Sequence, residues 1–150
     1  PLEVISKPKE ESFLNVNQKD PLKVLVVEDN VMNQMIMRKL LGSSEHINFA
    51  VAQNGQEALE ILKKDVYDVV LMDLQMPVMD GYEATKIIRS GILGQVIGEI
   101  PIIAVTADAM QETRQRVLDI GMNDYMTKPV NKDLLMEKIN YCCKPKLQIA

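Results

Sequence analysis

Val69-Val70-Leu71-Met72-Asp73-Leu74-Gln75-Met76-Pro77-Val78-Met79-Asp80-Gly81 drives four apolar residues straight into one carboxylate. An unbroken apolar run bounded by turn residues fits a strand buried on both faces, as in a parallel sheet covered by helices. Met76-Pro77 takes the chain out of the strand, and Asp80-Gly81 signals a turn. Asp73 therefore ends the strand, at the sheet edge where open α/β folds carry their chemistry. A carboxylate there is costly without a partner, because an unpaired charge resists leaving water. The rest of the chain supplies candidate partners.

Working outward, the same pattern recurs. Lys23-Val-Leu-Val-Val27 is a first apolar strand and ends in Glu28-Asp29-Asn30. Asp29 or Asn30 can cap the helix that follows, whose Met32, Ile36 and Leu40 are spaced for an inward stripe, with Gly42 as its stop. Residues 47–51 read as a second strand, Asn54-Gly55 as a turn, and 56–64 as a helix with Ala58, Leu59 and Leu62 inward. The central strand covers 68–72. A helix over 82–90 follows, with Ala84, Ile87 and Ile88 in the core, then a connection containing Gly91, Gly94 and Gly98. Those glycines lack the spacing of a phosphate-binding loop. Pro101-Ile-Ile-Ala-Val105 is a fourth strand ending in Thr106-Ala107-Asp108. A helix over 109–120 stops at Gly121, 124–127 is a short fifth strand before Lys128-Pro129, and 131–143 is a last helix with Leu134, Leu135 and Ile139 buried.

Five apolar strands alternating with amphipathic helices predict an α/β protein: a flavodoxin-like (βα)5 three-layer sandwich, its parallel sheet ordered 2-1-3-4-5. The chain's 150 residues suit one such domain. Residues 1–20 read as a linker or tail with a short element around Phe13-Leu14, 21–144 as the domain, and 145–150 as a C-terminal tail. With 17 basic against 21 acidic residues and no basic cluster, nucleic acid is not an expected partner. No apolar run reaches the roughly 20 residues of a membrane span. Two adjacent cysteines, Cys142 and Cys143, make no disulfide framework and fit a reduced, cytoplasmic setting.

In the order 2-1-3-4-5, strands 1, 3, 4 and 5 are neighbours. Their carboxyl ends bring Glu28, Asp29, Asp73, Thr106 and Lys128 to one shallow pocket. Taken singly, each has a plainer reading: a helix cap for the acid pair or Asp73, a turn for Thr106, a surface turn for Lys128. Taken together, three carboxylates repel each other, and a hard divalent cation such as Mg²⁺ resolves that. A metal, an ammonium and a hydroxyl around one carboxylate clamp the oxygens of a phosphoryl group, with Asp73 as nucleophile.

At these residues the chain resembles the receiver domain of two-component response regulators. The motifs are Val-Val-Glu28-Asp29-Asn30, Met-Asp73-Leu-Gln-Met-Pro-Val-Met-Asp-Gly81, Ala-Val-Thr106-Ala107 and Lys128-Pro129, in order over about 22–143. With Asn33-Gln34 they look most like receivers fused to hybrid histidine kinases. The resemblance implies that Asp73 accepts a phosphoryl group from a phosphohistidine on a kinase dimerisation-phosphotransfer domain or a histidine phosphotransfer protein. It implies that Asp29 and Asp73 ligate Mg²⁺, that Gln75 adds its backbone carbonyl, and that Glu28 acts through a water. Thr106 and Lys128 bind phosphoryl oxygens, Lys128-Pro129 is cis, and Tyr125 is the switch aromatic that turns inward with Thr106. Gln75 and Asp108 tune the lifetime. The output surface is the fourth helix, fifth strand and fifth helix of the repeat.

The chain would then catalyse its own phosphorylation and slow dephosphorylation and turn over no separate metabolite, with no ATP or other organic cofactor site. Starting at Pro1 and carrying no effector after Cys143, it is expected to be the C-terminal receiver of a hybrid sensor kinase. An aspartyl-phosphate phosphohydrolase is the alternative, but it calls for an acid two residues past the nucleophile, where Gln75 stands. A non-phosphorylated interaction module would not need the full residue set. An FMN module would meet repulsion from Glu28-Asp29. Arg114 and Arg116 read as a solvated helix face rather than partner contacts. His46 falls at the wrong end of the sheet for a phosphodonor. Met32, Met35 and Met37 read as core filler on the first helix, which in the resembled family lies near the partner-docking face.

Overall fold

A computed structural model describes residues 21–143. The linker read over 1–20, its element at Phe13-Leu14 and the tail over 145–150 lie outside the described residues. Five strands are present: β1 (Leu22–Val27), β2 (Ile47–Ala52), β3 (Val69–Asp73), β4 (Ile102–Thr106) and β5 (Asp124–Thr127). They form one parallel sheet in the order β2-β1-β3-β4-β5. The helices are α1 (Val31–Gly42), α2 (Gly55–Lys64), α3 (Gly81–Arg89), α4 (Gln95–Gly98), α5 (Gln111–Asp119) and α6 (Lys132–Cys142). The short α4 occupies part of what the sequence reads as a plain glycine loop.

Strand alternation splits the core into two layers. Leu25, Val70, Met72 and Ile102 pack with Leu59, Leu62, Ile88 and Val117 from α2, α3 and α5. Val24, Val26, Leu71 and Ile103 pack with Met37, Leu41, Leu135 and Ile139 from α1 and α6. All five residues of β3 are buried. Truncating a fully buried residue such as Leu71 to alanine costs about 2–5 kcal/mol in such a core. That rigidity is what holds the strand ends, and the side chains on them, in place.

Three expectations need correction. In α1 the buried residues are Met37 and Leu41, while Met32 and Ile36 are exposed and Leu40 is half-buried. The rotation is set at the helix start: Asn30 accepts from the Asn33 N–H at 3.0 Å, and the Gln34 amide donates to the Glu28 carbonyl at 2.6 Å. Gly42 is the last helical residue and Ser43 the cap. In α6 Leu134 is exposed, so the stripe is Leu135 and Ile139. Asn54-Gly55 is not a free turn: Asn54 caps α2, and Gly55 is its first residue, where a Cβ would lie 2.8 Å from the Met79 carbonyl oxygen.

Candidate functional site

Hydrogen-bonded register places the carboxyl ends of β1, β3, β4 and β5 side by side. Val27 pairs with Met72, Asp73 with Val105, and Thr106 with Thr127. The residues that end these strands, or follow them, are the ones the sequence singles out. Glu28, Asp73 and Thr106 are buried, each less than a tenth exposed, whereas Asp29 is exposed. One oxygen from each of Glu28, Asp29 and Asp73 lies within 4.8 Å of the others.

Lys128 is the cation facing them. Its Nζ is 2.9 Å from Glu28 Oε1 and 3.5 Å from Asp73 Oδ2. The second Glu28 oxygen accepts from the Asn30 N–H at 3.1 Å. The Lys128-Pro129 peptide is cis. One ammonium thus contacts two of the three clustered carboxylates, and it stands closer to Glu28 than to Asp73. The Asp73 carboxyl is pushed up to about 7, first by burial and then by the Glu28 charge, with Lys128 pulling the other way. Its other stabilising contact is weak: the Gln75 N–H reaches Asp73 Oδ1 at 3.4 Å.

The loop after β3 folds tightly back on the strand. Gly81 N–H donates to the Leu74 carbonyl at 3.1 Å, and a Cβ at Gly81 would lie 2.3 Å from the Asp73 carbonyl oxygen. Only glycine fits there. Val78 in the same loop has φ +71°. A β-branched residue in the left-handed region costs about 1–3 kcal/mol, strain of the kind found beside functional sites. Asp80 then caps α3 through the Glu83 N–H.

Thr106, Tyr125 and Asp108 form an adjoining set. Thr106 Oγ1 accepts from the Asp108 N–H at 3.1 Å. The Tyr125 hydroxyl donates to the Asp108 carbonyl. Tyr125 is buried, so the aromatic expected to turn inward already lies inward here. Desolvation raises its phenol's pKa, and Asp108 adds to the rise. The Asp108 carboxylate accepts from the Met110 N–H at 2.8 Å and the Thr113 hydroxyl at 2.7 Å. Those two donors, the Thr113 hydroxyl first, hold it below the usual carboxylate range.

Two contacts add to the sequence reading of α5. The Arg116 guanidinium sits 3.8 Å from the centroid of the Tyr82 ring, and Arg114 sits 5.2 Å from that of Tyr125. Both arginines are exposed, as a solvated face requires, and they also tie α5 to α3 and β5 through these rings. Gln34 and Thr113 were not assigned roles from the sequence. No side chain at the cap position Met110 bonds the start of α5; Asp108 reaches the helix through the Met110 N–H and the Thr113 hydroxyl. His46 is exposed, and its carbonyl accepts from Leu22 N–H where β1 begins, at the opposite end of the sheet from Asp73.

Beside the acids, α1 exposes Val31, Met32, Met35 and Ile36. Of the three α1 methionines, only Met37 fills the core. A pocket of about 280 Å³ continues from Ile36 and Met37 to Lys128, Pro129 and Val130 and includes Glu28. Among the described residues, no helix is long and apolar enough to cross a membrane.

The sequence profile described as "Response regulator receiver domain" matches residues 24–140. The chain is 45% identical over 129 residues to hybrid signal transduction histidine kinase I of Dictyostelium discoideum, covering 83% of this chain and 7% of that protein. It is 38% identical over 124 residues to the sensor histidine kinase RcsC of Escherichia coli, covering 83% of this chain and 12% of that one. The chain thus spans only a small part of these relatives. Among solved structures it is similar to the receiver domain of sensor histidine kinase PA1611 from Pseudomonas aeruginosa with a magnesium ion coordinated in the active-site cleft. That match has 35% identity and a TM-score of 0.74, covering 83% of this chain and 98% of that one. It is also similar to the Saccharomyces cerevisiae co-crystal of the histidine phosphotransfer protein Ypd1 with the receiver domain of Ssk1. Here identity is 38% and the TM-score 0.75, covering 87% of this chain and 94% of that one.

Proposed function

The chain belongs to the response regulator receiver domain family, and from that membership we propose how its own residues act: Asp73 takes a phosphoryl group from a phosphohistidine in a two-component phosphorelay. The observation that carries this is the charge imbalance at the strand ends, three carboxylates against one ammonium, with Asp73 buried and held up near 7. An Asp73 carboxylate oxygen bonds to phosphorus as the phosphorus–nitrogen bond breaks, and the imidazole leaves with the electron pair and picks up a proton. Lys128 and the Thr106 hydroxyl would hold the phosphoryl oxygens, a role that the 3.5 Å approach of Lys128 to Asp73 supports.

The acid cluster fits Mg²⁺: an all-oxygen donor set, one member open to solvent, in a small site. Asp29 and Asp73 would hold the ion directly, Gln75 through its backbone carbonyl and Glu28 through a water. Bound there, it neutralises charge on the acids and on the phosphoryl oxygens. Gln75 and Asp108 tune how long the acyl phosphate lasts, Gln75 by orienting an attacking water and Asp108 by its charge. Thr106 and Tyr125 pass the change to the surface of α5, β5 and α6.

The donor is a kinase phosphotransfer domain or a histidine phosphotransfer protein, docking over the exposed apolar residues of α1 and the pocket beside Lys128. Residues 21–144 form the receiver unit, after a linker, in a cytoplasmic part of a hybrid kinase. Among the described residues Cys142 and Cys143 form no disulfide.

Incubation with Mg²⁺ and acetyl phosphate should yield an acyl phosphate on the wild type and none on Asp73→Asn. Persistence of the label in Asp73→Asn sinks the assignment, and steady turnover of free phosphomonoesters supports the phosphohydrolase alternative instead. Ile36→Asp should slow transfer from a phosphohistidine donor about tenfold, the scale of one interface hot spot, and leave acetyl phosphate labelling alone. Equal slowing with both donors places the docking face elsewhere.

A further inference from the structure

Asp108 is bonded on four sides. Its N–H binds Thr106 Oγ1, its carbonyl binds the Tyr125 hydroxyl, and its two carboxylate oxygens bind the Met110 N–H and the Thr113 hydroxyl. Thr106 and Tyr125 therefore hang from a single residue, whose side chain is anchored in the first turn of α5. The bond from Asp108 uses the Thr106 hydroxyl as an acceptor and leaves its proton free to donate. That orientation suits a hydroxyl that must meet an oxygen held at Asp73.

We infer that Thr113, through the side chain of Asp108, is a positioning residue that aims the Thr106 hydroxyl at the phosphoryl group and keeps Tyr125 on the same anchor. This rests on the phosphoacceptor reading above. The Thr113 hydroxyl donates to Asp108 rather than to the acids at the strand ends, so its effect runs through Asp108. Without its hydroxyl, the Asp108 carboxylate keeps only the Met110 N–H, and the peptide that orients Thr106 gains freedom. Preorganisation of the donor is lost before any group arrives at Asp73. This differs from a lifetime role for the Asp108 charge, which removing the Thr113 hydroxyl leaves in place.

The test compares wild type, Thr113→Val, Thr113→Ser, Asp108→Ala and the Thr113→Val/Asp108→Ala double variant, all as the full chain. Phosphorylation by acetyl phosphate is followed at saturating Mg²⁺, and Mg²⁺ binding to the unphosphorylated protein by calorimetry. Thr113→Val should lower the maximal phosphorylation rate about fivefold, the scale of one hydrogen bond. It should leave the Mg²⁺ dissociation constant unchanged, which general loosening of the fold would not. Thr113→Ser should restore the rate. The double variant should be no slower than Asp108→Ala alone, because both changes cut one linkage. A wild-type rate in Thr113→Val, or additive losses in the double variant, overturns the positioning role while the phosphoacceptor reading stands. Failure of the wild type itself to label Asp73 overturns both.

Discussion

Lysine meets carboxylate at both ends of the sheet, with opposite results. At the amino end Lys23 Nζ is 2.6 Å from Asp65 Oδ2, and both side chains are at least a third exposed. The partnership is mutual: their hydrogen bond raises the Lys23 pKa and lowers that of Asp65. At the carboxyl end Lys128 faces Glu28 and Asp73, which are almost wholly buried, and Asp73 is raised rather than lowered. Side-chain types are the same; burial and stoichiometry differ. Where water screens and charges balance, the pair is inert. Where acids outnumber the ammonium in a dry site, the fold carries a charge deficit that a divalent cation or a proton can fill.

The largest break in that contrast comes from removing the buried charge. The Asp73 pKa stands at about 7 in the fold, above its ordinary value of 3.8. A raised carboxyl contributes its stability below the unfolded-state value and loses it as pH climbs to the folded one. In EDTA, Asp73→Asn should therefore be more stable than wild type, with the advantage growing from about pH 4 to about pH 7 and flat above. The plateau should be on the order of 2–4 kcal/mol in urea unfolding. Added Mg²⁺ should shrink it, since the wild type gains a ligand that the variant holds less well. Asp65→Asn at the other end should show no such gain. A constant difference across pH would mean that Asp73 does not carry the strain.

Next in size is removal of each lysine. Lys128→Ala leaves two buried carboxylates without their cation. Loss of one partner from a buried pair costs about 3–5 kcal/mol, and the partial exposure of Lys128 reduces this to about 1–3 kcal/mol at pH 8. The loss should lessen at pH 5, where Asp73 holds its proton. Lys23→Ala removes an exposed partner and should leave the unfolding midpoint close to wild type. Equal effects of the two substitutions would abolish the distinction between the two ends.

The carboxyl end of this contrast was legible in the sequence because strands announce themselves through unbroken apolar runs. Val24–Val27, Val69–Met72 and Ile102–Val105 each lead to a polar residue; right-handed crossovers leave few topologies, and the observed order is the common one at this size. What stayed hidden depended on rotation and on side-chain reach. Helix α1 has apolar residues on two faces, Met32-Ile36 and Met37-Leu41, with the same spacing, so periodicity cannot choose the inward one. A hydrogen bond from Gln34 to Glu28 chooses it, and no pattern of hydropathy encodes that bond. Arg114 and Arg116 are exposed as their charge suggests, but the rings of Tyr125 and Tyr82 beneath them come from distant parts of the chain. Arg89 is similar: its guanidinium binds the Gly98 and Gly121 carbonyls and Asn123, pinning the loops before β4 and β5, and burial lowers its pKa.

The finest cut concerns water rather than charge. Gln75 is exposed while the carboxylate two residues before it is buried. If the Gln75 amide orients the attacking water, Gln75→Ala should lengthen the phosphoryl lifetime by about threefold to tenfold, the scale of one hydrogen bond in the transition state. Asp108→Ala should also change the lifetime, through the lost charge and the loosened Thr106. Asp65→Ala, equally wet but at the far end of the sheet, should change nothing. The measurement is decay of the labelled acyl phosphate after the donor is removed. Unchanged decay in both Gln75→Ala and Asp108→Ala would mean that water reaches Asp73 without help from either side chain, and that the carboxyl end differs from the amino end in its charge alone.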